Sequence, residues 1–225
     1  MNDASLRLIA TGGLLVALGA CTPDPDTGSD APSASAASAL PAGAERWQCG
    51  PWAARSNHRA ASGDLLLALP GGEYVLDRTV SASGARYAGA DGIVFWSKGD
   101  EAVLTPPGTD ATVDCRPTDT SSPWLDVPDD LALRAAGNEP GWMLEIERGE
   151  APTARLVTQY GDATVQFASV TPTDDGYIAS SGTHSLRVTT ERTDCRDGMS
   201  GVGFPLRVRV VVDGQRMDGC GRRYD

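Results

Sequence analysis

The strongest constraint on this chain is how often it is interrupted. Between Trp47 and Cys115 the apolar residues come in short runs, Leu65-Leu66-Leu67, Tyr74-Val75-Leu76, Ile93-Val94-Phe95-Trp96 and Ala102-Val103-Leu104, separated by glycine-rich or Asp-Gly turns such as Pro70-Gly71-Gly72 and Asp91-Gly92. A helix needs a 3.6-residue apolar period sustained over several turns, and no window shows one. Short strands with turns this frequent predict an antiparallel barrel or sandwich. Beyond residue 130 the pattern changes but the class does not. Trp142, Leu144 and Ile146 alternate with Met143, Glu145 and Glu147; Leu206, Val208, Val210 and Val212 alternate with Arg207 and Arg209; Ser185 to Arg192 reads as another half-buried strand. One face of each strand is expected in a core and the other in water. No internal repeat links the two halves. The expectation is an all-β chain with two such regions, 46–116 and 131–225.

The segments outside these regions read differently. Residues 1–20 carry an apolar run from Leu14 to Leu18, too short to span a bilayer as a mature helix, and small residues lead from it to Cys21. This is the form of a secretion signal. The quartet Leu18-Gly19-Ala20-Cys21 resembles the lipobox of bacterial lipoproteins, although Asp3 offsets Arg7 and leaves the start of the chain without net positive charge. The resemblance implies acylation of Cys21 and cleavage before it, and two or three acyl chains make a firm membrane anchor. Thr22 follows where an inner-membrane retention cue would place an aspartate, so the expected location is the outer membrane, facing the periplasm. Residues 21–45 are small, polar and proline-bearing, a flexible tether with a root-mean-square reach of roughly 25–30 Å. Arg116 to Asp130, RPTDTSSPWLDVPDD, reads as a break rich in proline and acid, and 117–130 is taken as a linker.

With Cys21 acylated, Cys49, Cys115, Cys195 and Cys220 form an even set in an oxidising compartment, where disulfides persist. Four cysteines allow three connectivities; the break at 117–130 favours Cys49 with Cys115 and Cys195 with Cys220. A metal site is the competing use of cysteine, but there is no CxxC, and His58 and His184 are the only histidines. That argues against zinc, and no pattern asks for a cofactor.

The formal net charge is −11, yet residues 22–45 and 117–130 together hold eight acids and no base, so most of the imbalance sits outside the two β regions. Modest steering of a cationic partner is all these segments can supply. Nucleic acid is excluded as a partner, because phosphate binding needs a basic stripe. The distribution of cations is more telling. Nineteen residues are lysine or arginine, and Lys98 is the only lysine. Arginine is a wide planar fork; lysine is a point charge on a thin stem that enters a narrow slot.

Around that lysine, Ser81-Ala82-Ser83-Gly84-Ala85-Arg86-Tyr87 is followed by Phe95-Trp96-Ser97-Lys98-Gly99-Asp100-Glu101-Ala102. The two motifs, in this order, inside a cysteine pair and behind a lipobox, resemble the membrane-bound inhibitor of c-type lysozyme family over about residues 46–116. The resemblance implies a small antiparallel β-barrel with a disulfide between first and last strands, matching Cys49 and Cys115, and a c-type lysozyme as partner rather than an enzymatic activity. It also implies that Ser83 and Lys98 enter the lysozyme cleft, with Gly84, Arg86 and Tyr87 in the same contact set. The residues themselves leave other roles open. A lysine at a hairpin end is an edge charge that deters strand pairing, Ser83-Gly84 suits a turn, Arg86 has neighbouring acids to pair with, and Tyr87, Phe95 and Trp96 suit a barrel wall.

In the second half, Ala136-Gly137-Asn138-Glu139-Pro140-Gly141-Trp142, Cys195 to Gly201, Phe204-Pro205 and Gly219-Cys220-Gly221 resemble an uncharacterised domain of bacterial envelope proteins, which lends no activity. Asp197, Ser200 and His184 are the residue types of a hydrolase triad, but no nucleophile elbow surrounds Ser200, and a Gly- and Asp-rich turn locked by a disulfide is the preferred reading. The rival to lysozyme inhibition is a structural envelope lipoprotein that binds cell-wall glycan or an envelope partner through 131–225, with Trp142 as a sugar-stacking face or as core.

Overall fold

A computed structural model of the chain describes residues 43–224, and they fall within one compact unit. The signal segment, Cys21 and nearly all of the tether lie outside the described residues.

The first region is an eight-stranded up-and-down barrel: β1 (Ala44–Cys49), β2 (Trp52–His58), β3 (Leu65–Leu69), β4 (Gly72–Thr79), β5 (Ala85–Ala88), β6 (Val94–Lys98), β7 (Glu101–Thr105) and β8 (Val113–Pro117). Each strand pairs antiparallel with the next, and β8 closes on β1 with Cys49 opposite Cys115, the pair the first disulfide joins. The alternation in each strand explains the closure. Trp47, Leu65, Leu67, Leu76, Tyr87, Phe95 and Leu104 point inward and are buried, while Trp96 and Lys98 alternate with them and stay exposed. The Trp47 and Phe95 rings meet edge to face at 5.6 Å. The Trp47 indole N–H donates to Ser56 Oγ at 2.9 Å, which satisfies the buried hydroxyl.

The second region is a nine-stranded antiparallel sheet from β9 (Leu131–Asn138), β10 (Gly141–Glu147), β11 (Ala154–Thr158), β12 (Ala163–Phe167), β13 (Val170–Thr173), β14 (Gly176–Ser181), β15 (His184–Arg196), β16 (Gly203–Val212) and β17 (Gln215–Arg223). Their order is β12-β11-β10-β9-β17-β16-β15-β14-β13. The two edge strands, β12 and β13, follow one another in the chain, so the sheet curls into a nearly closed barrel. Leu144, Ile146, Phe167, Val188, Val208 and Val210 fill it. The fold is thus all-β in both halves, as expected from the turn spacing.

Two features join the halves. Cys195–Cys220, the second disulfide, belongs with Val202 and Phe204 to the same buried cluster as the first barrel's core. Gly71, in the β3–β4 turn, lies so close to β16 that a Cβ there would sit 2.4 Å from the Gly203 carbonyl oxygen. Arg222 donates to the Leu69 carbonyl at 3.2 Å, and Arg196 to that of Gly108 at 3.3 Å. Residues 117–130 are packed between the halves. Arg46 donates to Asp126 at 2.8 Å, Arg55 to the Leu125 carbonyl at 3.3 Å, and Trp124 packs on Phe204 with ring centroids 4.5 Å apart.

Candidate functional site

In an up-and-down barrel, successive turns fall at alternate ends. The β1–β2, β3–β4, β5–β6 and β7–β8 connections share one end, and Gly71, Leu69 and Gly108 dock the second sheet there. The β2–β3, β4–β5 and β6–β7 connections share the opposite end. Ser83 and Gly84 lie in the β4–β5 connection, and Lys98 closes β6 before the two-residue Gly99-Asp100 turn. The second sheet therefore covers the end of the barrel away from both motifs.

The register of β5 on β6, with Ala85 opposite Ser97 and Tyr87 opposite Phe95, brings the two motifs side by side. Gly84 takes a positive φ of 68°, and a Cβ on it would lie 2.4 Å from the Ser97 carbonyl oxygen and 3.1 Å from Lys98 Cβ. Only glycine permits this conformation and this approach together. The Trp96 indole N–H donates to the Ser83 carbonyl at 2.9 Å, and the Ser81 hydroxyl to the Gly84 carbonyl at 3.1 Å. These bonds fix the backbone and leave the Ser83 side chain exposed.

Lys98 is also exposed. Its cross-strand neighbour Glu101 is engaged by Arg116 at 3.7 Å, and among the described residues no ion pair holds the Lys98 ammonium. Arg86 is half-buried and donates to Thr79 Oγ1 at 2.9 Å, which ties β5 to β4. Tyr87 has its ring in the barrel wall, 3% exposed, with its hydroxyl 3.1 Å from His58 Nδ1. Phe95 is fully buried and Trp96 is 42% exposed. The structure thus brings Ser83, Gly84, Trp96 and Lys98 to one outer edge and sets Tyr87 and Phe95 beneath it. The support that Trp96 gives to Ser83 was not visible in the sequence. Its signal is the register, which no spacing rule supplies.

The second half assembles no triad. Ser200 donates its hydroxyl and its backbone N–H to Asp197 Oδ1, each at 2.7 Å, and Asn138 donates to Asp197 Oδ2 at 2.6 Å. Partial burial pushes the Asp197 carboxyl up, but the Ser200, Asn138 and Met199 donors outweigh it and hold the group below the usual carboxylate range. His184 instead pairs with Asp213 at 2.6 Å. It begins β15, whereas Asp197 and Ser200 follow that strand's end, on the order of 40 Å away at about 3.3 Å per residue. Trp142 is 4% exposed and lies against the Gly137 and Gly219 backbones, so it is core and offers no stacking face.

A comparison with curated proteins finds no match to the chain. Residues 47–112, from the first barrel strand to the loop before the last, match the family described as membrane-bound lysozyme-inhibitor of c-type lysozyme, so it is the barrel of this chain that is similar to that family.

Proposed function

We propose that this chain inhibits c-type lysozyme by placing Ser83 and Lys98 in the enzyme's catalytic cleft. The family match of the barrel supports the inhibitory role. The contact geometry is supported by one observation, the close packing of Gly84 on the Ser97 carbonyl and Lys98 Cβ, which brings the loop that carries Ser83 against the strand end that carries Lys98, both residues being exposed.

The chemistry follows from the target. A lysozyme of this type cuts with two carboxyl groups flanking the scissile bond, one kept protonated by an apolar pocket and one ionised. An inserted ammonium favours the ionised form of both, so the acid loses the proton that hydrolysis needs. The serine hydroxyl donates to a carboxylate oxygen and accepts from a neighbouring donor, in place of a sugar hydroxyl or water. Gly84 lets the loop approach Lys98, Arg86 and Tyr87 hold β5 in place, and Trp96 braces the Ser83 carbonyl.

The reading includes location. Cys21 carries the lipid anchor, residues 21–45 are the tether, and the protein faces the periplasm from the outer membrane, where it intercepts lysozyme at the wall. The lipobox-like quartet and the segment's composition support this. The deciding experiment is a wall-lysis assay with a c-type lysozyme and the chain lacking residues 1–21. One-to-one binding with loss of lysis is expected; undiminished lysis at stoichiometric excess overturns the reading.

A further inference from the structure

Where the two halves meet, a groove opens that no part of the inhibitory edge reaches. A cavity of ≈ 400 Å³ is walled on the barrel side by Gln48 and Pro51 and on the sheet side by Asn138, Asp197 and Phe204, with Trp124 across one wall. A second cavity of ≈ 490 Å³ continues from it beyond Asn138 and Asp197, past the exposed Met199. The hydrogen bond from Asn138 to Asp197 divides the two. The Cys195–Cys220 disulfide lies beneath both, since Cys220 lines each and Cys195 lines the second. The groove therefore exists only because barrel, 117–130 segment and second sheet are assembled.

Its lining has a consistent chemistry. Trp124 and Phe204, packed on each other at 4.5 Å, and the Pro51 ring make flat apolar walls. Such rings accept the C–H face of a sugar and leave its hydroxyls to the rim. The rim offers mostly acceptors. Gln48 spends its amide N–H groups on the Gly50 and Trp52 carbonyls at 2.7 and 3.4 Å, and among the described residues no hydrogen bond takes up its side-chain carbonyl oxygen. Asp197 is an ionised carboxylate fixed by four donations. Among the described residues no hydrogen bond takes the Trp124 indole N–H, which adds one donor. Cations are scarce and engaged: Arg196 is spent on the Gly201 and Gly108 carbonyls, and Arg207 pairs with Glu191 at 3.6 Å. A carboxylate rim without an available cation repels phosphates and acidic lipids. It suits a neutral ligand rich in O–H donors, and the volume is in the range of small-ligand sites, about 300–1,000 Å³.

We propose that this groove binds a short stretch of uncharged glycan, stacked on Trp124 and hydrogen-bonded through Gln48, Asn138 and Asp197. The site stands apart from the inhibitory edge, at the other end of the barrel, so either can fail without the other.

The test is calorimetric titration of the purified full chain in detergent with the tetramer of N-acetylglucosamine, alongside tryptophan fluorescence. A dissociation constant on the order of 1 mM or tighter is expected. Trp124→Leu should weaken it by more than about tenfold and Gln48→Ala by a few fold, with Lys98→Ala unchanged. Ser121→Trp, at an exposed rim position, should block the groove and abolish binding, and it decides the matter if Trp124→Leu does not fold. Absence of binding at about 10 mM overturns the proposal, as does binding indifferent to both Gln48→Ala and Ser121→Trp. Retention of a short neutral peptide in place of the sugar overturns the ligand class.

Discussion

Lys98 gains its meaning from what surrounds it. An exposed lysine at a hairpin end costs the fold nothing and contributes little to it, so its substitution should leave barrel stability within about 0.5 kcal/mol. Inhibition should respond very differently. In the proposed contact Lys98→Ala removes one partner of a charge pair buried on binding, so affinity for lysozyme should fall by about 2–5 kcal/mol; Arg86→Ala, whose guanidinium is spent on Thr79, should cost much less. Equal losses from the two in an inhibition titration would place the contact elsewhere. Lys98→Arg is the sharper test, because it keeps the charge and changes only its shape. It is expected to inhibit poorly, and full inhibition would refute the slot explanation for the only lysine. Gly84→Ala asks about placement rather than charge. A methyl group 2.4 Å from the Ser97 carbonyl, at a φ of 68°, must push the loop off β6, so inhibition should fall while the barrel still melts cooperatively.

At the scale of elements, the segment 117–130 contributes more than connection. Its Asp126 is buried against Arg46 and Arg55. Burial raises the carboxyl's pKa, but the Arg46 hydrogen bond, the Ser122 N–H and the charges of Arg46 and Arg55 outweigh it and bring the value below the usual range. The sign follows: a carboxyl whose folded pKa is depressed contributes stability that is present above its unfolded value, near 3.9, and is lost as pH falls through the folded one. Asp197 behaves in the same direction. Hydrogen exchange should therefore show 117–130 and 196–202 loosening below about pH 4 before the strands do. Asp126→Asn should cost about 1.5–3 kcal/mol at neutral pH, as expected for a hydrogen bond to a charged group, and should remove the segment's part of the acid response. An unchanged acid profile in that variant would show that Asp126 is not the group responsible.

At the scale of the molecule, the two halves share a core. Phe204 belongs to the sheet by sequence and to the barrel's buried cluster by packing. Phe204→Ala should cost about 3–5 kcal/mol and lower the melting of both halves together; a calorimetric scan showing two independent transitions, with only one shifted, would contradict the shared core. Cys49–Cys115 closes a loop spanning 66 positions. In the chain-entropy account, replacing both cysteines by serine should destabilise by about 4 kcal/mol, and because it joins the barrel's closing strands the loss should fall on the barrel.

The β class, the number of regions, the cysteine pairing and the two motifs follow from residue types in order, since turns, alternation and spacing are local properties that one chain displays by itself. The end of the barrel that the motifs occupy, the contact of Gly84 with Lys98, the burial of Tyr87 and Trp142, the separation of His184 from Ser200 and the groove at the seam were decided only in three dimensions. Each depends on strand register and on the docking of surfaces remote in sequence, and a shift of one residue in register would turn Lys98 from the outer edge to the barrel's interior.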